Sequence, residues 1–290
     1  MQHSPSCAVP YVAMVDGGTI ELIRSLGVEI RTSANLVQMF EARWTKKQFE
    51  SHLEAGKRVD KIRAGAFELI KERSRNNSPL TEWEVKSFIL AEFDRHNLFT
   101  DHGPIVGVNG NAADPHYEPT TDRNSPIRAG DFVLIDMWAK LKESNAVYYD
   151  ITWTGFCGDN PRSDMRNVFE VVTGARDAAV NFIQDSVNRK QTIAGFEVDD
   201  VARGHIEAAG FADRFVHRTG HSIGVDVHGS GANMDNFETH DERRIIPSTC
   251  FSIEPGVYLS DFGVRSEVNV FVSEQQAIVT GEIQKELLIL

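Results

Sequence analysis

After Gly103 the chain contains four segments with the β-branched and aromatic texture of strands, and each carries one acid among apolar residues. They are DFVLIDMW with Asp136, YYDITWT with Asp150, FSIEPG with Glu254 and GVRSEVNVFV with Glu267. Successive strand residues face opposite sides of a sheet. Asp136 therefore shares a face with Leu134 and Trp138, and Asp150 shares one with Thr152 and Thr154. Glu254 lies on the face of Ser252, while Glu267 sides with Arg265 and Asn269, opposite Val264, Val268 and Val270. One such acid is commonly a solvated edge residue. Four set in apolar strands are harder to accommodate, because a buried carboxylate is unfavourable unless it is paired or binds a metal. The segment HRTGHSIGVDVH adds His217, His221 and His228. His221 and His228 are seven residues apart, so a continuous strand would put them on opposite faces; a bend near Gly224 is needed to bring them together.

The rest of the chain reads as helices and a small leading piece. Residues 11–15 and 28–32 read as strands alternating with helices over 19–27 and 34–40, a small α/β appendage covering residues 1–44. The pattern changes at Thr45, which with Gln48 has the spacing of a capping box. Apolar residues then recur at helical period from Phe49 to Ile70. A second box at Thr81 and Glu84, with Leu80 and Val85 as staple, starts a helix running to about Asn97. Further helices are expected over 161–187 and 198–209, the latter ending at Gly210. Strands and helices in blocks imply an α+β domain over residues 45–290, a largely antiparallel sheet with helices on its outer face.

Four carboxylates and one imidazole form an oxygen-rich ligand set suited to Mn²⁺, Fe²⁺, Co²⁺ or Zn²⁺. Two divalent ions would balance four carboxylates, and a shared hydroxide would leave the centre at about −1. A single ion would leave it strongly negative and difficult to bury. Two ions sharing a water also suit attack on an amide. Other motifs fit less well. HRTGH lacks the glutamate of a zinc-protease helix, no CxxC pair is present, and GVNGNA lacks the spacing and lysine of a phosphate loop.

The order Asp136, Asp150, His221, Glu254, Glu267 resembles that of the pita-bread metallopeptidases: aminopeptidase P, prolidase and methionine aminopeptidase. The segments NAADPHY, DITWT, HRTGHSIGVDVH, SIEPGVY and GVRSE carry the likeness over about 108–272. The resemblance implies two related αββ halves with a metal pair between them, manganese being the leading expectation. It implies that Asp150 and Glu267 bridge the ions, that Asp136 completes one, and that His221 with Glu254 completes the other. NAADPHY is similar to the aminopeptidase P and prolidase branch. There His116, His217 and His228 would serve proton transfer and the substrate pocket, Arg265 would pair with a carboxylate, and Thr152 would orient a bridging acid. Residues 1–44 resemble the tail of that branch's first domain, with most of the domain missing.

Three positions depart from the family pattern. Asp136 and Asp150 are 14 residues apart, wider than is usual, so the hairpin between them carries extra residues. Trp153 stands where arginine is common, and Val268 where an acid often follows the last ligand. The first two are expected to reshape the substrate rim. The function implied is hydrolysis of the Xaa-Pro bond at peptide amino termini or in Xaa-Pro dipeptides, in a homodimer. Methionine aminopeptidase activity, a metal-free hydrolase of the creatinase type and a non-enzymatic peptide-binding domain are the rivals.

Composition narrows the partners. A net charge of −12 argues against nucleic acid and anionic membrane surfaces. No apolar run reaches the roughly 18 residues that a bilayer span needs. Cys7, Cys157 and Cys250 are odd in number and widely spaced, which points to a reducing cytoplasm rather than a disulfide framework.

Overall fold

The computed structural model describes residues 1–290. Six helices are present: α1 (Gly17–Ser25), α2 (Ala34–Glu41), α3 (Lys46–Arg75), α4 (Glu82–Arg95), α5 (Ser163–Asn188) and α6 (Gly195–Ala208). Both expected capping boxes form, with Thr45 and Thr81 each accepting from the backbone three residues on while Gln48 and Glu84 reach back. They satisfy amide groups that a helix start leaves unpaired. The α6 helix ends before Gly210, whose positive φ of 85° suits a residue without a side chain.

Helices α3 and α4 cover one sheet. Its strands are β1 (Leu98–Phe99), β2 (Ile105–Val108), β3 (Phe132–Leu141) and β4 (Tyr149–Phe156), with β1 and β2 both antiparallel to β3. Ala55, Val59, Ile62, Ala66 and Ile70 give α3 its buried stripe against Val133, Ile135 and Ile151. Gly56 permits that approach, since a Cβ there would lie 2.9 Å from the Tyr149 ring. Helices α5 and α6 cover the second sheet, formed by β5 (Ser222–Ile223) and β6 (Thr249–Ile253), then β9 (Val268–Val272) and β10 (Ala277–Thr280), in the order β10-β9-β6-β5. Between β6 and β9 lies a hairpin of β7 (Gly256–Tyr258) and β8 (Gly263–Arg265). The last strand, β11 (Leu288–Ile289), returns to the first sheet and runs parallel to β4.

The two sheets meet along β4 and β9. Asn269 clamps them, accepting from Asp150 N at 3.0 Å and donating to Asp150 O at 2.5 Å, while Glu267 N donates to Thr152 O at 3.1 Å. Each half therefore has a helix pair outside and strands inside, as the resemblance implies.

Residues 11–15 and 28–32 are not strands. The first begins in a 3-10 turn at Pro10–Val12, and Met14 and Val15 donate to Gln2 O instead of a ladder. Residues 28–32 hold only the ends of a contact, Met1 N to Arg31 O and Ser33 N to Met1 O. An extended segment needs a partner sheet with an apolar face, and neither segment has one. The leading piece is thus two helices and connecting turns. It is tied to the body through Trp44 N to Ser248 O, His240 N to Ala8 O and Gln38 Nε2 to Arg244 O.

Trp153 points away from the strand face that carries Asp136 and Asp150. It lies in the core beneath α3, where the Arg63 guanidinium stacks 3.4 Å from its ring centre. It therefore does not shape the substrate rim. Val268 is likewise a core residue of the second half.

His52 joins three elements. Its Nδ1 bonds to Tyr148 O at 2.7 Å, so Nδ1 carries the proton, and Nε2 accepts from Thr280 Oγ1 at 2.7 Å. Burial pushes its pKa down to about 4. The unfolded chain takes up a proton near pH 6.5, so between about 4 and 6.5 it binds more protons than the folded chain. Stability should fall as the pH drops through that window, by about 3 kcal/mol from this group. Urea unfolding at pH 7 and pH 4.5 should show a shallower decline in His52→Gln than in the parent chain.

Candidate metal centre

The acids are brought together by strand register. Asp136 pairs across the ladder with Thr152, and Asp150 pairs with Trp138, so both aspartates stay on one face despite their wide spacing. The extra residues lie beyond Leu141, in the turn before Tyr149, where Tyr148 N donates to Gly224 O at 3.0 Å. From the second half, Glu254 lies just past β6 and Glu267 lies between β8 and β9.

His221 precedes β5, held against β6. Its amide donates to Ser252 Oγ at 2.9 Å, and that hydroxyl donates onward to Glu254 Oε1 at 2.9 Å. Gly220 makes this possible, since a Cβ there would sit 1.9 Å from Ser252 O. The chain turns back after Ile223, with Gly224 N donating to Asp226 O and Gly229 N to Ser222 O at 2.6 Å. The turn places His228 and His221 with ring centres 4.3 Å apart.

One cavity of about 670 Å³ is lined by His116, Asp136, Asp150, His217, His221, His228, Glu254, Arg265 and Glu267. Thr152 lies behind its wall. It accepts from Arg265 Nε at 3.1 Å and donates to Glu267 Oε2 at 2.8 Å. Arg265 also pairs with Asp136, and its Nε is 3.9 Å from Glu254. His116 is exposed at the mouth.

One donor atom each from Asp150, His221 and Glu267 lie within 4.8 Å of one another. Asp150 Oδ1 and Glu267 Oε1 are buried without a hydrogen-bond partner, a costly state for a carboxylate oxygen. His221 Nδ1 contacts Ser222 O at 3.1 Å and is the donor there. Its Nε2 lies 3.4 Å from Glu254 and 3.5 Å from Asp150. Those two carboxylates outweigh burial and raise the His221 pKa, so a positive charge, proton or metal, is favoured at Nε2. The titration behaviour agrees. Burial raises the Asp150 carboxyl to about 7 and Glu267 well above the usual range, and it raises Asp136 despite Arg265. Glu254 alone is lowered, because His221 and Arg265 outweigh its burial. These residues fit divalent metal.

A match to a family model over most of the chain decides the ancestry. Residues 50–274 match the model of metallopeptidase family M24. The chain belongs to that family. The Xaa-Pro dipeptidase of Lactobacillus delbrueckii subsp. lactis is 33% identical over 205 residues, covering 70% of this chain and 50% of that protein. The Xaa-Pro aminopeptidase of Haemophilus influenzae is 30% identical over 236 residues, covering 71% and 51%. The chain spans about half the length of such curated relatives. Among solved structures, the dipeptidase PepE of Mycobacterium ulcerans superposes with a TM-score of 0.74 at 26% identity, covering 95% of this chain and 69% of its own. The fold is that of the pita-bread peptidases.

Several residues of the site carried no signal in the sequence. Tyr258 accepts from Arg265 Nη1 at 3.1 Å and contacts His217 Nε2 at 2.7 Å. His217 Nδ1 contacts Arg218 O at 2.7 Å, so Nδ1 is the donor and Tyr258 donates to Nε2. Withdrawal from water lowers His217 to about 4 and keeps it neutral. Tyr11 and Arg218 also line the cavity. The Tyr258 position, two residues after Gly256, has no alternation or spacing rule that marks it, and Tyr11 is remote in sequence.

Because Asp150 and Glu267 must release protons to bind metal, Mn²⁺ affinity should weaken as pH falls below about 7. Asp150→Asn should weaken it at least tenfold at pH 8 by isothermal titration calorimetry, on the order of the loss expected for a ligand position. Equal affinity in both proteins would show that Asp150 is not a ligand.

Proposed function

We propose that this chain hydrolyses the Xaa-Pro bond at peptide amino termini or in Xaa-Pro dipeptides, as a metallo-exopeptidase carrying two divalent ions. The observation that carries the reading is the pair of unpartnered buried oxygens, Asp150 Oδ1 and Glu267 Oε1, facing a cavity in an M24 chain. Asp150 and Glu267 would bridge the ions, Asp136 would complete one, and His221 with Glu254 the other. When bound, such a pair lowers the pKa of water and stabilises oxyanion charge. Manganese is the preferred ion for an oxygen-rich set with one nitrogen, with cobalt, zinc and iron as alternatives.

The protein's own groups supply the rest. Glu254, held ionised by His221 and Arg265, is placed to take a proton from the attacking water and pass it to the leaving amine. Neutral His217 is fixed by Tyr258 and Arg218 O, which orients one wall of the cavity. His228 faces the centre beside His221 and is placed to donate to a substrate carbonyl oxygen. Arg265 holds Asp136 and Thr152 in position, and His116 at the mouth contacts the entering peptide. Preference for proline at the second position is supported by the names of the relatives alone.

We read residues 1–44 as the tail of a first domain and 45–290 as the catalytic domain. Leu22 on α1, Leu26 just after it, and Leu36 and Phe40 on α2 are exposed, Phe40 at 79%, which supports a homodimer formed through this piece. No helix is long and apolar enough to cross a membrane, and with three free cysteines a cytoplasmic setting is proposed.

The test is release of free amino acid from Ala-Pro and Ala-Pro-Ala after loading with Mn²⁺, Co²⁺ or Zn²⁺. Turnover should be lost by at least about a thousandfold in Asp150→Asn. Folded, metal-loaded protein that cleaves neither peptide would overturn the proposal. Cleavage of Met-Ala in preference to Met-Pro peptides would favour the methionine aminopeptidase reading instead.

A further inference from the structure

A second cavity of about 440 Å³ adjoins the metal-centre cavity and shares three wall residues with it, Tyr11, Arg218 and His228. Both volumes fall in the range of about 300–1,000 Å³ typical of ligand sites. The second cavity lies between the leading piece and the turn after β5. On the leading piece Val12, Met14 and Val37 line it together with Gln2 and Glu41, and Ser230, Asn233 and Arg243 line it from the body. A wall of mixed polarity suits an extended peptide, which offers side chains and backbone hydrogen bonds in alternation.

The two spaces meet at a small polar contact. Arg218 Nη1 donates to Tyr11 OH at 3.1 Å, and Glu238 holds Arg218 through its amide at 3.2 Å and its guanidinium at 3.5 Å. Glu238 thus fixes one side, whereas Tyr11 is 53% exposed and hangs from a segment without regular structure beyond a short turn. Of the two partners, Tyr11 is the one free to move. Its hydrogen bond to Arg218 is exposed to solvent and so weak enough for a peptide to displace.

We propose that the second cavity is the subsite for residues beyond the second in a longer peptide, with the Tyr11–Arg218 contact setting access to it. The inference rests on the exopeptidase reading above. In an enzyme that removes one amino-terminal residue, substrates of different length differ only on the carboxyl side of the cleaved bond. The first cavity, of about 670 Å³, has room for a dipeptide. A tetrapeptide needs further room, and the space across Tyr11 is continuous with the wall that His228 contributes to the centre. The ligand class is an unmodified peptide tail of mixed polarity, and length preference is the property this site controls.

Two substitutions act in opposite directions. Tyr11→Ala removes the partition, and Val37→Trp fills the second cavity from α2. The quantity to measure is kcat/KM for Ala-Pro-Ala-Ala divided by kcat/KM for Ala-Pro, taken within each protein so that a general loss of activity cancels. The ratio should rise about tenfold in Tyr11→Ala and fall about tenfold in Val37→Trp, and a ratio unchanged in both overturns the proposal. Should the metal-loaded parent cleave neither peptide, the exopeptidase reading fails by itself. Calorimetric binding of the same two peptides then decides the subsite: tetrapeptide preference altered in the same directions supports it, and identical preference in all three proteins rejects it.

Discussion

The seam between β4 and β9 is held together around charge that the protein cannot stabilise with its own hydrogen bonds. Four carboxylates and an imidazole are withdrawn from water there, and only some of their oxygens find donors. Ser252 serves Glu254, Thr152 serves Glu267 and Arg265 serves Asp136. Asp150 Oδ1 and Glu267 Oε1 are left over. Burying carboxylates in this state is so unfavourable that protons or cations must make up the deficit. The two helix pairs, by contrast, are ordinary apolar packing. They hold the strands rigidly enough that the acids cannot relax apart, and this sets up the demand for metal.

Arg265 has a part in this balance that is easily overlooked. Its guanidinium touches Asp136, Thr152 and Tyr258, and through Tyr258 it reaches His217. One buried cation thereby links a metal-side acid to the neutral histidine on the opposite wall. Such a network is stable only when every member is satisfied. It fixes the His217 tautomer through hydrogen bonds on both ring nitrogens.

Much of this was legible in the sequence because strand alternation is strict. Parity set Asp136 beside Leu134 and Trp138 and Asp150 beside Thr152 and Thr154, while the β3–β4 register is what brings the two acids to one face; the capping boxes at Thr45 and Thr81 marked two helix starts to the residue. The bend near Gly224, required to reconcile His221 with His228, is present. What failed was local texture without a partner. Residues 11–15 and 28–32 have strand-like composition, yet no sheet edge lies beside them, so their backbone groups bond singly to Gln2 and Met1. Trp153 was misplaced for a related reason. Its parity puts it opposite Asp150, against α3, and a substitution beside a ligand in sequence is not beside it in space. Tyr11 and Tyr258 were invisible because only the folded chain brings them to the cavity.

The return of β11 to the first sheet bears on how the chain reaches this state. Leu288 and Ile289 pair with Gly155 and Phe156, and the Leu290 side chain fills space that Gly155 leaves open. The sheet of the first half is therefore completed by residues made after the whole of the second half. Contacts of such long sequence separation are late and slow to form, since loop closure must precede any gain from them. The two halves look alike, but the first is closed by a strand that follows the second. A nascent chain lacking its last strand would present an unpaired β4 edge, and the duplicated architecture becomes a single cooperative body only when that edge is closed.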